Sequence, residues 1–153
     1  MSEINKLPPG IKLIIGFYLV SAVLWTIGQF GAVLFYDTIA SWGLQDPREL
    51  LDPVIVEVNR AIGLTDMIIM IPLYIPAAVG LWRLKFYGAV FSWLVLGINL
   101  YWPVIFWSSQ FFYGQSGIKY RETMMTANVI LIIILAFSIW ASWYIFRNRK
   151  IFE

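Results

Sequence analysis

The stretch TMMTANVILIIILAFSIWASWYIF (Thr123–Phe146) runs for 24 residues without one charged side chain. A helix needs about 20 mostly apolar residues to cross a ~30 Å hydrocarbon core, so this stretch is long enough to span a bilayer. A water-facing helix of that length would carry a polar stripe along one side, and this one has none. Leu13–Tyr36, Ala61–Trp82 and Phe86–Tyr113 read the same way. Together they predict an all-α integral membrane protein: an antiparallel four-transmembrane-helix bundle with spans at 13–36, 61–82, 86–113 and 123–146. The longest connection, Asp37–Arg60, has 24 residues and is too short for a second folded unit, so residues 1–153 read as a single transmembrane domain. The first span is longer than a signal-peptide core of about 7–15 residues and lacks a small-residue cleavage pattern, so it is expected to stay in the mature protein.

Absent residue types remove whole classes of chemistry. Without cysteine there is no disulfide, thiolate nucleophile or iron–sulfur cluster. Without histidine, the commonest metal ligand and general base is gone, so zinc and haem enzymes are not expected. No cofactor and no metal site is predicted, although carboxylates and amides leave an oxygen-ligand cation site open. The net charge of +2 and the scatter of basic residues at helix ends speak against nucleic acid as a partner.

Basic residues also set the expected orientation. Lys6, Lys12, Arg83, Lys85, Arg147, Arg149 and Lys150 flank one side of the spans, while Arg48, Arg60, Lys119 and Arg121 flank the other. Seven against four places both termini in the cytoplasm of a cell-membrane protein by the positive-inside rule. Tyr36, Trp42, Trp107, Tyr113 and Tyr120 would then lie at the outer interface, and Trp82, Tyr87, Trp143 and Tyr144 at the inner one. The three-residue link Arg83–Lys85 makes the second and third helices antiparallel neighbours.

The first connection carries turn chemistry. Asp46-Pro47-Arg48-Glu49 reads as an N-cap, a first-turn proline and a capping-box glutamate, and Asp52-Pro53 repeats the cap-plus-proline pair. A short helical turn at 47–51 and a helix starting at Pro53 follow from this. With Trp42, Leu44, Leu50, Leu51 and Val54 on it, the segment is expected to lie in the outer membrane interface. Gly28, Gly31, the Gly88/Ser92 pair and the Ser138/Ser142 pair mark expected helix–helix contacts, because small side chains let backbones approach. Those contacts serve packing within the bundle or a homo-oligomer.

Asp66 is the most informative polar residue. It lies five residues inside the outer end of its span, about 7–8 Å deep at 1.5 Å per residue. A carboxylate at the bilayer centre costs about 2.5–3.5 kcal/mol on insertion scales, so it should face the bundle interior. Counting depth along the spans places Gln29, Asn99, Tyr101 and Asn128 in the same outer layer, with Trp102 level with Asp66. Glu57, Asn59, Arg60, Arg121 and Glu122 would surround the mouth. Two readings follow. The layer forms an outward-facing polar pocket for a lipid headgroup, small amphiphile or cation, or its members hydrogen-bond across helices and fix register. Pro72, Pro76 and Pro103 each remove a backbone donor near this layer. One intramembrane carboxylate does not make an aspartyl pair, and no nucleophile–base pair is in reach, so the chain reads as non-enzymatic.

The run Arg60-Ala61, Asp66-Met67 and Pro72-Leu73 resembles the second-helix motif of the MAPEG membrane enzymes. That resemblance implies a four-helix chain, assembled as a trimer and binding glutathione. The family's motif asparagine and glutamate after the arginine have no match here, nor has its fourth-helix arginine and tyrosine pattern. Other functional alternatives are a protomer of an oligomeric small transporter or channel, and an accessory subunit of a larger membrane complex. The first-span glutamate of small multidrug transporters is absent, and the charge bias is unlike that of fluoride channels.

Overall fold

The computed structural model describes residues 7–120 and 125–152. Among them every regular element is helical: α1 (Pro9–Leu34), α2 (Tyr36–Ser41), α3 (Pro53–Trp82), α4 (Phe86–Ser116) and α5 (Met125–Arg147), with 3-10 turns at Arg48–Leu50 and Arg149–Ile151. Four of these, α1, α3, α4 and α5, are long and apolar enough to cross a membrane. Their outward faces expose large apolar side chains such as Leu19, Val23, Ile68, Ile75, Val104 and Ile133. That is the pattern of helices solvated by lipid rather than water.

Local chemistry sets the helix ends. Asp52 caps α3 by accepting the Val54 N–H at 3.0 Å, and Pro53 opens the first turn, as the cap-plus-proline reading expects. The Arg48–Leu50 turn starts directly after Pro47, which itself offers no side-chain cap. α4 stops at Gly117, whose φ of +67° places it in the left-handed region that glycine enters without strain. The link between α3 and α4 uses Leu84 at φ +51°, a position most side chains avoid. The Lys85 N–H closes this turn onto the Gly80 carbonyl at 2.9 Å, and Leu84 packs against the apolar core in compensation.

Glycines decide how close the helices come. Gly80 and Gly88 meet backbone to backbone on either side of the link, where a Cβ on Gly88 would overlap the Gly80 carbonyl carbon and the Leu81 nitrogen. Gly63 lets α3 lie against α1: a Cβ there would come within 3.0 Å of the Gln29 carbonyl oxygen. Within the single chain, the first-span glycines do not make the expected contact with another long helix. A Cβ on Gly28 would meet nothing within 4 Å, and Gly31 sits under Ile39 of α2 rather than under another long helix. The backbone breaks at Phe35 (φ −137°, ψ 46°), which folds α2 back over the end of α1.

Two apolar clusters result. The larger joins Ile11, Ile14, Tyr74, Leu81, Val95, Leu96, Ala141 and Ile145 from all four long helices. The smaller one gathers Ala32, Tyr36, Leu51, Ile55 and Val56, with Tyr113, Ile118 and Tyr120 packed on it. A bond from the Asp52 N–H to the Lys119 carbonyl (2.7 Å) and one from Lys119 Nζ to the Glu49 carbonyl tie the first connection to the segment after α4. Gln29 and Asp66 are buried yet belong to neither cluster.

Candidate functional site

Gln29 and Asp66 each sit in a single π-helical turn, Thr26–Phe30 in α1 and Asp66–Met70 in α3. Both turns begin beside a threonine that donates to the carbonyl four residues back. Thr26 Oγ1 reaches Ala22 at 2.6 Å, and Thr65 Oγ1 reaches Ala61 at 3.0 Å. Such back-bonding competes with the helix ladder and bends it. In α3 a second cause acts: Pro72 has no N–H to offer Ile68 and its ring crowds that carbonyl, which a widened turn relieves. π-turns inside α-helices occur frequently at functional sites.

Asp66 is only 8% exposed, and its Oδ2 has no hydrogen-bond partner among the described residues. Trp102 of α4 presents its indole to the Asp66 carboxyl. That indole stacks on Trp25 of α1, with ring centroids 6.2 Å apart and planes 12° from parallel. Further along α3, Tyr74 donates its hydroxyl to Asn99 Oδ1 at 3.3 Å. The site is therefore a carboxylate flanked by aromatic rings, with an amide and a phenol behind it.

The other predicted residues divide. Gln29 and Asn99 are buried beside this centre, Gln29 with its side-chain oxygen against Gly63. Tyr101 is 64% exposed on the outside of α4 and leaves the site, since its neighbour Trp102 occupies the inward position. Asn128 is held by Trp107, whose Nε1–H donates to Asn128 Oδ1 at 2.9 Å, so it ties α5 to α4. At the expected mouth, Arg60 pairs with Glu57 at 2.9 Å and also donates to the Val33 carbonyl at 3.4 Å. Asn59 is half-buried near the Tyr36 hydroxyl. Arg121 and Glu122 lie outside the described residues.

An open cleft of about 240 Å³ lies at the break between α1 and α2, lined by residues that include Tyr36, Asp37, Arg48 and Arg60. Arg48 bonds Asp37 at 2.7 Å and covers the Tyr36 ring at 4.5 Å. Burial pushes the Tyr36 hydroxyl pKa above the ordinary tyrosine value, with Asn59 and Arg48 opposing. Of the predicted residues, this cleft contains Arg60 and not Asp66.

Trp25, Tyr18, Tyr74, Ser92 and Ser138 join the buried polar or aromatic centre without having been singled out by depth counting. One signal in the sequence marks two of them. Tyrosines favour the membrane interfaces, and Tyr18 and Tyr74 lie well inside their spans. Compared with protein-family models, curated proteins and solved structures, the chain has no match.

Proposed function

We propose that this chain is an integral membrane protein, a single domain of four antiparallel spanning helices, that binds a cationic group at Asp66 from the outer side. The ligand is a lipid headgroup, a small amphiphile or a free cation. One observation carries the reading: a buried carboxylate oxygen without a donor among the described residues, beside the stacked Trp25 and Trp102. A charge in apolar surroundings is strongly disfavoured until a partner meets it, and aromatic faces attract cations through their quadrupole. The alternative of polar residues serving only as register-setting contacts accounts for Asn128 and Trp107, but not for an acceptor left over at Asp66. Calorimetric titration of the purified protein in maltoside micelles with dodecyltrimethylammonium tests the reading. Saturable heat beyond that of protein-free micelles is expected, and none with dodecanol, which has the chain without the charge.

The orientation follows from the basic clusters at Arg83/Lys85 and Arg147–Lys150. A reporter active only in the cytoplasm should work when fused after Glu153 and fail in the Gly114–Lys119 connection. The reverse pattern would put the Asp66 site on the inner side.

Residues 42–54 are proposed to lie in the outer interface. Trp42, Leu44, Leu50 and Val54 expose their apolar side chains, whereas Leu51 is buried in the smaller cluster and takes no part in anchoring. A spin label at Leu50 in lipid nanodiscs should collide more with oxygen than with a water-soluble nickel complex. Equal behaviour to a label at Glu49 would make this an ordinary loop.

A further inference from the structure

Beyond Asp66, buried polar groups continue toward the inner half of the molecule. Tyr74 lies about two turns further along α3 and bonds Asn99. Its ring meets that of Tyr18 at 5.6 Å, and the Tyr18 hydroxyl faces Ser92 of α4. Phe17 stacks on Phe137 at 4.1 Å, which sets Ser138, the next residue of α5, at the depth of Tyr18. Tyr18, Ser92 and Ser138 are fully buried, and Tyr74 and Asn99 nearly so. All four long helices contribute.

Three atoms of this line, Tyr18 Oη, Asn99 Nδ2 and Ser138 Oγ, have no hydrogen-bond partner among the described residues. Serine in this core can satisfy itself within its helix: Ser92 Oγ donates to the Gly88 carbonyl at 2.7 Å, whereas Ser138 makes no such bond. Pro103, four residues after Asn99, has no N–H for the Asn99 carbonyl, which adds a main-chain acceptor at the same place. Buried polar atoms in this situation are ordinarily served by bound water, which needs two to four polar partners.

We propose that water bound along Tyr74, Asn99, Tyr18 and Ser138 gives Asp66 a proton-exchange route toward the inner half of the membrane. The proposal rests on the cation site at Asp66, where a proton arriving at the carboxylate replaces the cation. Each transfer breaks one O–H bond and forms another, so one proton leaves the file for each that enters. The Tyr18 and Tyr74 hydroxyls and the waters carry it, while the Asn99 amide orients them. Few other charges interfere. Trp102 of α4 and Gln29 of α1 are neutral, the Arg60–Glu57 pair lies nearer the outer end of α3, and the only charged residue of α5 is Arg147 at its far end. At the inner end Leu81, Ile145 and Phe152 of the larger cluster close the route in this conformation.

Proteoliposomes loaded with a pH-sensitive dye, with valinomycin and a potassium gradient setting an interior-negative potential, test the route without using the cation. Proton uptake above that of protein-free vesicles is expected in the wild type or in Phe152→Ala, which loosens the closure. Tyr74→Phe and Asn99→Leu, made in the background that conducts, should return uptake to the protein-free level. Absence of uptake in both the wild type and Phe152→Ala overturns the proposal, as does uptake that neither substitution reduces. Uptake sensitive to Tyr74→Phe in a protein that binds no dodecyltrimethylammonium would uphold the route and remove the cation site.

Discussion

Asp66→Asn is expected to weaken dodecyltrimethylammonium binding roughly 10- to 100-fold, with no loss of melting temperature. The magnitude follows from the charge. A cation about 4 Å from a carboxylate gains on the order of 4 kcal/mol at an effective dielectric constant near 20, part of which is spent on desolvation. What remains, about 1.5–3 kcal/mol, corresponds to the stated loss of affinity. Stability should hold or rise, because Asp66 Oδ2 has no partner among the described residues to lose and the amide carries no buried charge. Asp66→Leu should abolish binding as well. Trp102→Phe, which keeps a ring but removes the indole, should cost less, about 3- to 10-fold, in line with a cation–π contribution near 1 kcal/mol. Calorimetry on the four proteins measures this order. Full affinity in Asp66→Leu would end the case for the site.

The largest structural effect is expected at Gly88. Gly88→Ala places a methyl group into the backbone of Gly80 and Leu81, and main chain does not rotate away as a side chain can. Helices α3 and α4 must then move apart over the part of the core they share. Overpacking of this kind costs typically 1–3 kcal/mol and more when backbone has to shift, so about 3 kcal/mol or more is expected. For a chain of this size that is roughly a 10 °C fall in Tm. Gly97→Ala on the same helix is the control, since a Cβ there meets nothing within 4 Å and should change little. Melting curves followed by tryptophan fluorescence in maltoside compare the two. Equal curves for Gly88→Ala and wild type would mean the two backbones do not touch.

The helical class and the four long elements were legible from hydropathy and length, because the hydrocarbon thickness alone demands about 20 apolar residues per crossing. The start of α3 was legible too, since Asp52 and Pro53 act within one turn of chain. The burial of Gln29, Asp66 and Asn99 agrees with the expectation that polar side chains within a spanning helix face the bundle interior. Counting gives height and not azimuth, and that is where it failed: Tyr101 points outward and Trp102 inward, a rotation of about 100° between neighbours.

Helix packing determined which of the polar groups at one height face each other, and which are left without a partner. The π-turns at Gln29 and Asp66 change helix phase by about a residue, which no fixed periodicity anticipates. The Trp25–Trp102 stack and the Tyr74–Asn99 bond join residues far apart in the chain, so no local signal encodes them. The same holds for Gly88, whose need for glycine comes from Gly80 across the link and not from its own helix. Composition within one segment is enough to make long lipid-compatible helices, so that much could be read from the chain alone. The site depends on contacts between segments, and only packing specifies those.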